Sequence, residues 1–225
     1  MKILAIDTSA LTATAAILAD GKLLCEISTT TALNHSVTVM PMIDELLRKV
    51  NMDISEIDLF ACSEGPGSFT GLRIGIGTVK GLAYGLGKKV VGVSTLEALA
   101  HNISFTDAFI APIMDARRSQ VYNALYKYDG EKLVEIVPPR ALSVEELCEE
   151  ISQKTIFVGD GVLAYKEKLI ETLGDKAIFA SPQNVLQRAG SVAYAALSKT
   201  PVEAEELTAV YLRKPQAERE REERI

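Results

Sequence analysis

Two stretches of this chain repeat one another, and that repetition limits the fold more than any other feature. In "AIDTSALTATAAILADGKLLCEI" an apolar run ends at Asp7, an alternating run follows, and Asp20–Gly21 turns into a third run. In "IMDARRSQVYNALYKYDGEKLVEI" Asp115 closes the apolar run and Asp129–Gly130 supplies the turn. Asp-Gly between alternating runs is a strong hairpin signal, so each half opens with a three-stranded meander. The tails "GKLLCEI" and "GEKLVEI" share four identities. Each meander leads into a helical pattern and a further strand. The first half has "VTVMPMIDELLRKV" (apolar at 39, 42, 43, 46, 47 and 50) and then "IDLFACS"; the second has "SVEELCEEIS" and then "TIFVGDG". The expected fold is therefore α/β and duplicated, with two lobes that each carry a mixed sheet and helices. The boundary falls between 1–104 and 105–225. Pro41 belongs in the first turn of its helix or kinks it. Later helices are expected at "LAYKEKLIETLG" and "VLQRAGSVAYAALSK". The charged end, 216–225, has no apolar face and reads as a solvated tail.

Composition removes several function classes. Hydrophobic residues make up 48% of 225, enough for a sizeable core. With 24 basic and 30 acidic residues, net −6, the chain is a poor stand-alone binder of nucleic acid, whose grip needs Lys and Arg. Cys25, Cys62 and Cys148 are odd in number and unpaired in spacing, which suggests reduced core thiols. No apolar segment approaches the roughly 20 residues that cross a bilayer. A cytoplasmic protein without membrane contact is expected. The chain has no GxxxxGK[ST] loop, and "GPGSFTG" matches neither GxGxxG nor GxSxG. Neither His35 nor His101 has metal-ligand spacing, and His35 is expected to pack or cap at a helix start.

Two lobes, each with an acid closing its first strand, resemble the actin-like, ribonuclease-H-like (ASKHA) architecture of sugar kinases. In that architecture the paired acids face a cleft for a metal-bound nucleotide. The resemblance makes Asp7, Thr8 and Ser9, with Asp115, Arg117, Arg118 and the Gly159–Asp160–Gly161 turn, a candidate vestigial nucleotide cleft. An ATP-binding phosphotransferase or ATPase using Asp7 and Asp115 is the alternative function. For Asp7 there is an equal second reading, a cap on the amides of its own "TSA" turn.

The segment "EGPGSFTGLRIGIGTVKGLAYGLG" holds eight glycines in 24 residues. As a helix, it places Gly71, Ile74, Gly75, Gly77, Thr78, Gly81, Leu82 and Gly85 within an arc of about 160°. A phosphate cradle needs glycine only in the loop and first turn. Gly77, Gly81 and Gly85 lie deeper, where they cost about 1.5–3 kcal/mol together. Close approach of another backbone explains that loss, either a partner or the chain's own sheet. The Gly65–Gly67 loop remains a candidate ligand turn.

"ILAIDTS", "HSVTVMPMIDELL", "GPGSFTGLRIG", "APIMDARRSQVY" and "YLRKPQAERE" together resemble the TsaB (YeaZ) family nearly end to end. The family takes part in threonylcarbamoyladenosine (t6A) modification of tRNA at position 37. The resemblance implies a non-catalytic scaffold that docks and activates a catalytic paralogue, TsaD, together with an ATPase, TsaE. It also implies a homodimer when the partner is absent, tRNA contact only through the complex, and no cofactor. Carried onto this sequence, the partner interface is Met42, Ile43, Leu46 and Leu47 with Gly71, Ile74, Gly75, Thr78 and Leu82. Where the paralogue carries an HxxxH metal pair, this chain has Thr95 and Leu99, so no metal is expected.

Overall fold

The computed structural model describes residues 1–30 and 34–213; the tail expected at 216–225 lies outside them. The first unit runs β1 (Lys2–Asp7), β2 (Thr12–Ala19), β3 (Lys22–Thr30), α1 (His35–Lys49), β4 (Leu59–Gly65), α2 (Phe69–Leu86), β5 (Lys89–Ser94) and α3 (Thr95–Ala100). The second runs β6 (Phe109–Asp115), β7 (Gln120–Asp129), β8 (Lys132–Ser143), α4 (Val144–Glu150), β9 (Thr155–Val158), α5 (Gly161–Leu173) and β10 (Ala177–Phe179), followed by α6 (Ala189–Ala196). The two sheets have the same strand order, β3-β2-β1-β4-β5 and β8-β7-β6-β9-β10. In each, the meander pairs antiparallel and the later strands add parallel. The duplication is thus present strand for strand, and the chain has the expected duplicated actin-like α/β fold.

The strands are apolar because both faces of each sheet are covered. Along β1, Leu4 and Ile6 join Ile43, Leu46, Leu72 and Val79 of α1 and α2, while Ile3 and Ala5 point the other way onto Val192 and Ala193 of α6. That is the period of two of a strand buried on both sides. In the second sheet, Ala111 and Ile113 meet Leu147 of α4 and Leu169 of α5, while Ile110 and Met114 meet Leu96 and Leu99 of α3. A helix from each half therefore covers the other half's sheet. The strands divide on either side of residue 104, but α6 and the bridge between Val90 and Val202 return to the first sheet.

Three local expectations change. α1 begins at His35, so Pro41 sits in its second turn, on the exposed side. α6 starts only at Ala189, because Val185 is drawn out to accept a hydrogen bond from the Gly159 amide at 2.7 Å. Met42, Ile43, Leu46 and Leu47, expected at the partner interface, are buried in the chain's own core under the first sheet. Burying a side chain of this size contributes about 1.5–3 kcal/mol, so they hold α1 to its lobe and are not available to a partner.

Candidate functional site

Asp7 ends β1 and is buried. Its Oδ1 accepts the Ser9 amide at 2.8 Å and the Ser9 hydroxyl at 2.6 Å, and its Oδ2 accepts the Ser63 hydroxyl at 2.5 Å. Burial pushes its carboxyl above the usual range, against the pull of the Ser63 and Ser9 donors. The capping reading of Asp7 is the one the geometry matches. The start of α2 fills the rest of the turn. Thr8 Oγ1 donates to the Gly71 carbonyl at 2.8 Å, and the Ser68 amide donates to the Ser9 carbonyl at 2.7 Å. A Cβ on Gly71 would strike the Thr8 carbonyl, one on Gly67 the Ser9 carbonyl, and one on Gly65 the Val210 carbonyl. The Gly65–Gly67 loop therefore turns around the protein's own backbone. Asp7, Thr8 and Ser9 are spent on internal bonds and do not fit a metal-bound phosphate.

The matching corner of the second lobe is more open. Asp115 Oδ1 accepts the Arg117 amide at 2.8 Å and the Tyr165 hydroxyl at 3.0 Å. Arg117, Arg118 and Ser119 are exposed and all adopt left-handed backbone, with φ of 65°, 56° and 58°. Gly159 and Gly161 press against the Ile113 carbonyl, and φ of +106° at Gly159 favours glycine there. Burial raises the Asp160 carboxyl to about 6, with Gln187 pulling the other way and Asp115 adding to the rise. The structure thus brings Asp115 and Asp160 near one another but leaves Asp7 sealed.

Thr95 and Leu99 lie fully buried, Leu99 in the core between α3 and the second sheet. A hydroxyl and an alkyl chain do not suit a transition metal. Among the described residues, no group of three or more His, Cys, Asp or Glu is placed to hold a metal ion. His35 packs as expected, with Nε2 2.7 Å from the Ala10 carbonyl.

The glycine-rich face of α2 divides in two. Gly71 and Gly75 are buried against Thr8, so these expected interface positions belong to the chain's own packing. A Cβ on Gly77, Gly81 or Gly85 would meet nothing within 4 Å. Ile74, Thr78 and Leu82 lie half-buried along the dividing line. A groove of about 490 Å³ runs here between the helices. Ile74, Gly77, Thr78, Gly81 and Leu82 form one wall, Ser36 and Met40 of α1 the other, and Arg73 the end. The family resemblance had pointed to the buried stripe of α1; the exposed apolar residues of that helix lie off the stripe, at Val37 and Met40, which are 63% and 42% exposed.

An extended strap follows α6, and no periodicity in the sequence marks it. Val202 pairs with Val90, and Lys80 Nζ donates to the Glu205 and Leu207 carbonyls at 3.1 and 3.0 Å. The Val210 amide donates to the Glu64 carbonyl at 2.7 Å, Tyr211 stacks on Phe69, and Arg213 Nη1 donates to the Ala116 carbonyl at 2.8 Å. The strap follows α2 and ends on the second lobe.

A duplicated actin-like α/β fold, with its first strand-end acid sealed and a bare helix face outside, defines a class of two-lobed proteins built on paired mixed sheets. A family model described as "TsaD: tRNA N6-adenosine threonylcarbamoyltransferase" matches residues 26–220. The TsaB protein of Bacillus subtilis, named for tRNA threonylcarbamoyladenosine biosynthesis, is 34% identical over 97% of this chain and 96% of its own length. The structure of YeaZ from Pseudomonas aeruginosa superposes with a TM-score of 0.78 at 28% identity, covering 94% of this chain and 99% of that one. The ethanolamine utilization protein EutJ of Carboxydothermus hydrogenoformans, at 13% identity, TM-score 0.53 and coverage of 87% and 90%, shares the fold alone. The chain belongs to the TsaB (YeaZ) family of t6A biosynthesis proteins.

Proposed function

We propose that this chain is a non-catalytic scaffold subunit of a tRNA N6-threonylcarbamoyladenosine transferase complex, docking and activating a TsaD-type catalytic paralogue. The observation that carries the reading is the line Gly77–Gly81–Gly85, which opens beside the groove between α1 and α2. Gly77 and Gly81 in mid-helix and Gly85 in the last turn cost stability, and a Cβ on any of them would meet nothing within 4 Å in this chain, which suits the close approach of a neighbouring backbone. The interface is therefore redrawn: Ile74, Thr78 and Leu82 stay in it, Ser36, Met40 and the outer glycines join it, and the buried residues of α1 leave it.

Reaction chemistry belongs to the partner. The sealed carboxylate of Asp7 and the alkyl side chain of Leu99 both argue against a phosphotransferase or metal-dependent step on this chain. Among the described residues no helix is long and apolar enough to cross a membrane, in keeping with work on tRNA in the cytoplasm. TsaE joins the assembly, and tRNA is reached through the complex. The same face allows a homodimer when TsaD is absent, since a patch that fits a paralogue of the same fold also suits a two-fold contact. Reconstituted tRNA modification tests the proposal. TsaD and TsaE alone are expected to give little product and addition of this chain to restore it. Threonylcarbamoyl transfer by this chain alone would overturn it.

A further inference from the structure

The strap brings Tyr211 back onto the first turns of α2, where it meets two residues of that helix. Its ring stacks on Phe69 with centroids 4.8 Å apart, and its hydroxyl accepts from Arg73 Nε at 3.3 Å. The Arg73 guanidinium lies over the Phe69 ring, 3.8 Å from its centroid. One face and one nitrogen of the guanidinium are thus engaged, and among the described residues the two terminal nitrogens have no hydrogen-bond partner. Among the described residues no carboxylate pairs with Arg73, although the chain holds 30 acidic residues against 24 basic ones. Arg73 also closes one end of the groove between α1 and α2, where the neighbouring wall is apolar or small.

A guanidinium held by stacking and by its Nε has lost most of its rotamer freedom before any partner arrives. Its terminal nitrogens form a planar fork suited to a carboxylate, and ordering it beforehand lowers the entropy lost on binding. Resting on the docking function proposed above, we infer that the partner seated on the outer face of α2 presents an Asp or Glu carboxylate to Arg73, and that Tyr211 is a positioning residue holding Arg73 ready for it. The partner surface this fits is an apolar ridge flanked at one end by an acid. The strap therefore takes part in docking without lining the groove itself.

The test measures calorimetric affinity for the cognate TsaD at low and high salt, using the full chain and the variants Arg73→Ala, Arg73→Lys, Tyr211→Phe and Arg73→Ala/Tyr211→Phe, with Gly77→Leu as the groove control. Tyr211→Phe keeps the ring on Phe69 and removes only the hydroxyl. Arg73→Ala is expected to weaken binding about tenfold or more and to flatten its salt dependence, with little recovery in Arg73→Lys. Tyr211→Phe is expected to weaken binding about threefold in the parent, and to have no effect once Arg73 is gone. If Arg73→Ala binds within twofold of the parent while Gly77→Leu does not bind, the carboxylate inference fails and the docking reading stands. If Gly77→Leu also binds like the parent, the docking reading itself fails. A Tyr211→Phe effect that persists without Arg73 would remove the positioning role.

Discussion

At the start of α2, Gly71 and Gly75 lie against Thr8; farther along the same helix, Gly77, Gly81 and Gly85 face open space. The residue type is the same and the helix is continuous, yet the physical causes differ. The inner pair is glycine because β1's turn comes so near that a Cβ at Gly71 would meet a backbone carbonyl. The outer three have no such neighbour, so within this chain they cost helix stability without return. Absence of side chains is explained by the chain's own packing in the first case and, under the docking function proposed above, by a second molecule in the other. The strand-end acids repeat the contrast: Asp7 is enclosed by three donors, whereas Asp115 sits half-exposed beside left-handed arginines.

Four sets of substitutions break or sharpen this contrast. Gly71→Ala is expected to have the largest effect, a loss of about 3 kcal/mol or more, because a carbonyl cannot yield as a side chain can. Chemical denaturation of the isolated chain measures it, and parental stability would mean that β1's turn moves freely. Next comes Asp160→Asn. The Asp160 carboxyl rises to about 6 on folding, from 3.8. The folded state thus holds its proton more tightly, and that contribution is complete below about pH 4 and lost as the pH passes about 6. The Asn variant should therefore gain up to about 3 kcal/mol at pH 8 and nothing at pH 4, read as melting temperature against pH. A pH-independent gain would place the cause elsewhere than in the buried charge.

Replacing Gly77, Gly81 and Gly85 together by Ala should stabilise the isolated chain by about 2 kcal/mol, opposite in sign to Gly71→Ala, with most of the gain at Gly77 and Gly81 because Gly85 lies in the last turn. A destabilised triple variant would show that the outer face is packed after all. Lys80→Met is expected to have the smallest effect, about 1–2 kcal/mol, because it leaves two strap carbonyls without their charged donor. Proteolysis of the chain beyond Val202 should quicken with it; an unchanged cleavage rate would mean that the strap is held by its other contacts alone.

Much of this architecture could be read in the sequence, because the signals were local. Alternation in "ATAAILA", the Asp20–Gly21 and Asp129–Gly130 turns and the helical stripe on α1 each act within a few residues. The exchange of α3 and α6 between sheets could not be read, since an apolar helix face does not say which sheet covers it. The family resemblance put Met42, Ile43, Leu46 and Leu47 at the interface, and the apolar stripe they form could not correct it, because such a stripe marks a buried face whether the cover is a partner or the chain itself. On α2 the arc of small residues was correct, but the line between Gly75 and Gly77 depends on where Thr8 arrives from β1, some sixty residues earlier in the chain. The strap lacks periodicity altogether, and its role follows only from the carbonyls and rings it reaches.

The affinity of Gly77→Leu for cognate TsaD, measured beside the melting temperature of the isolated variant, tests the docking account most directly. A leucine on the open face should weaken association at least a hundredfold, about 3 kcal/mol, while leaving the melting temperature at or above that of the parent. Parental affinity in a folded Gly77→Leu chain would show that the partner sits elsewhere, and that the bare outer face of α2 is not where this protein docks.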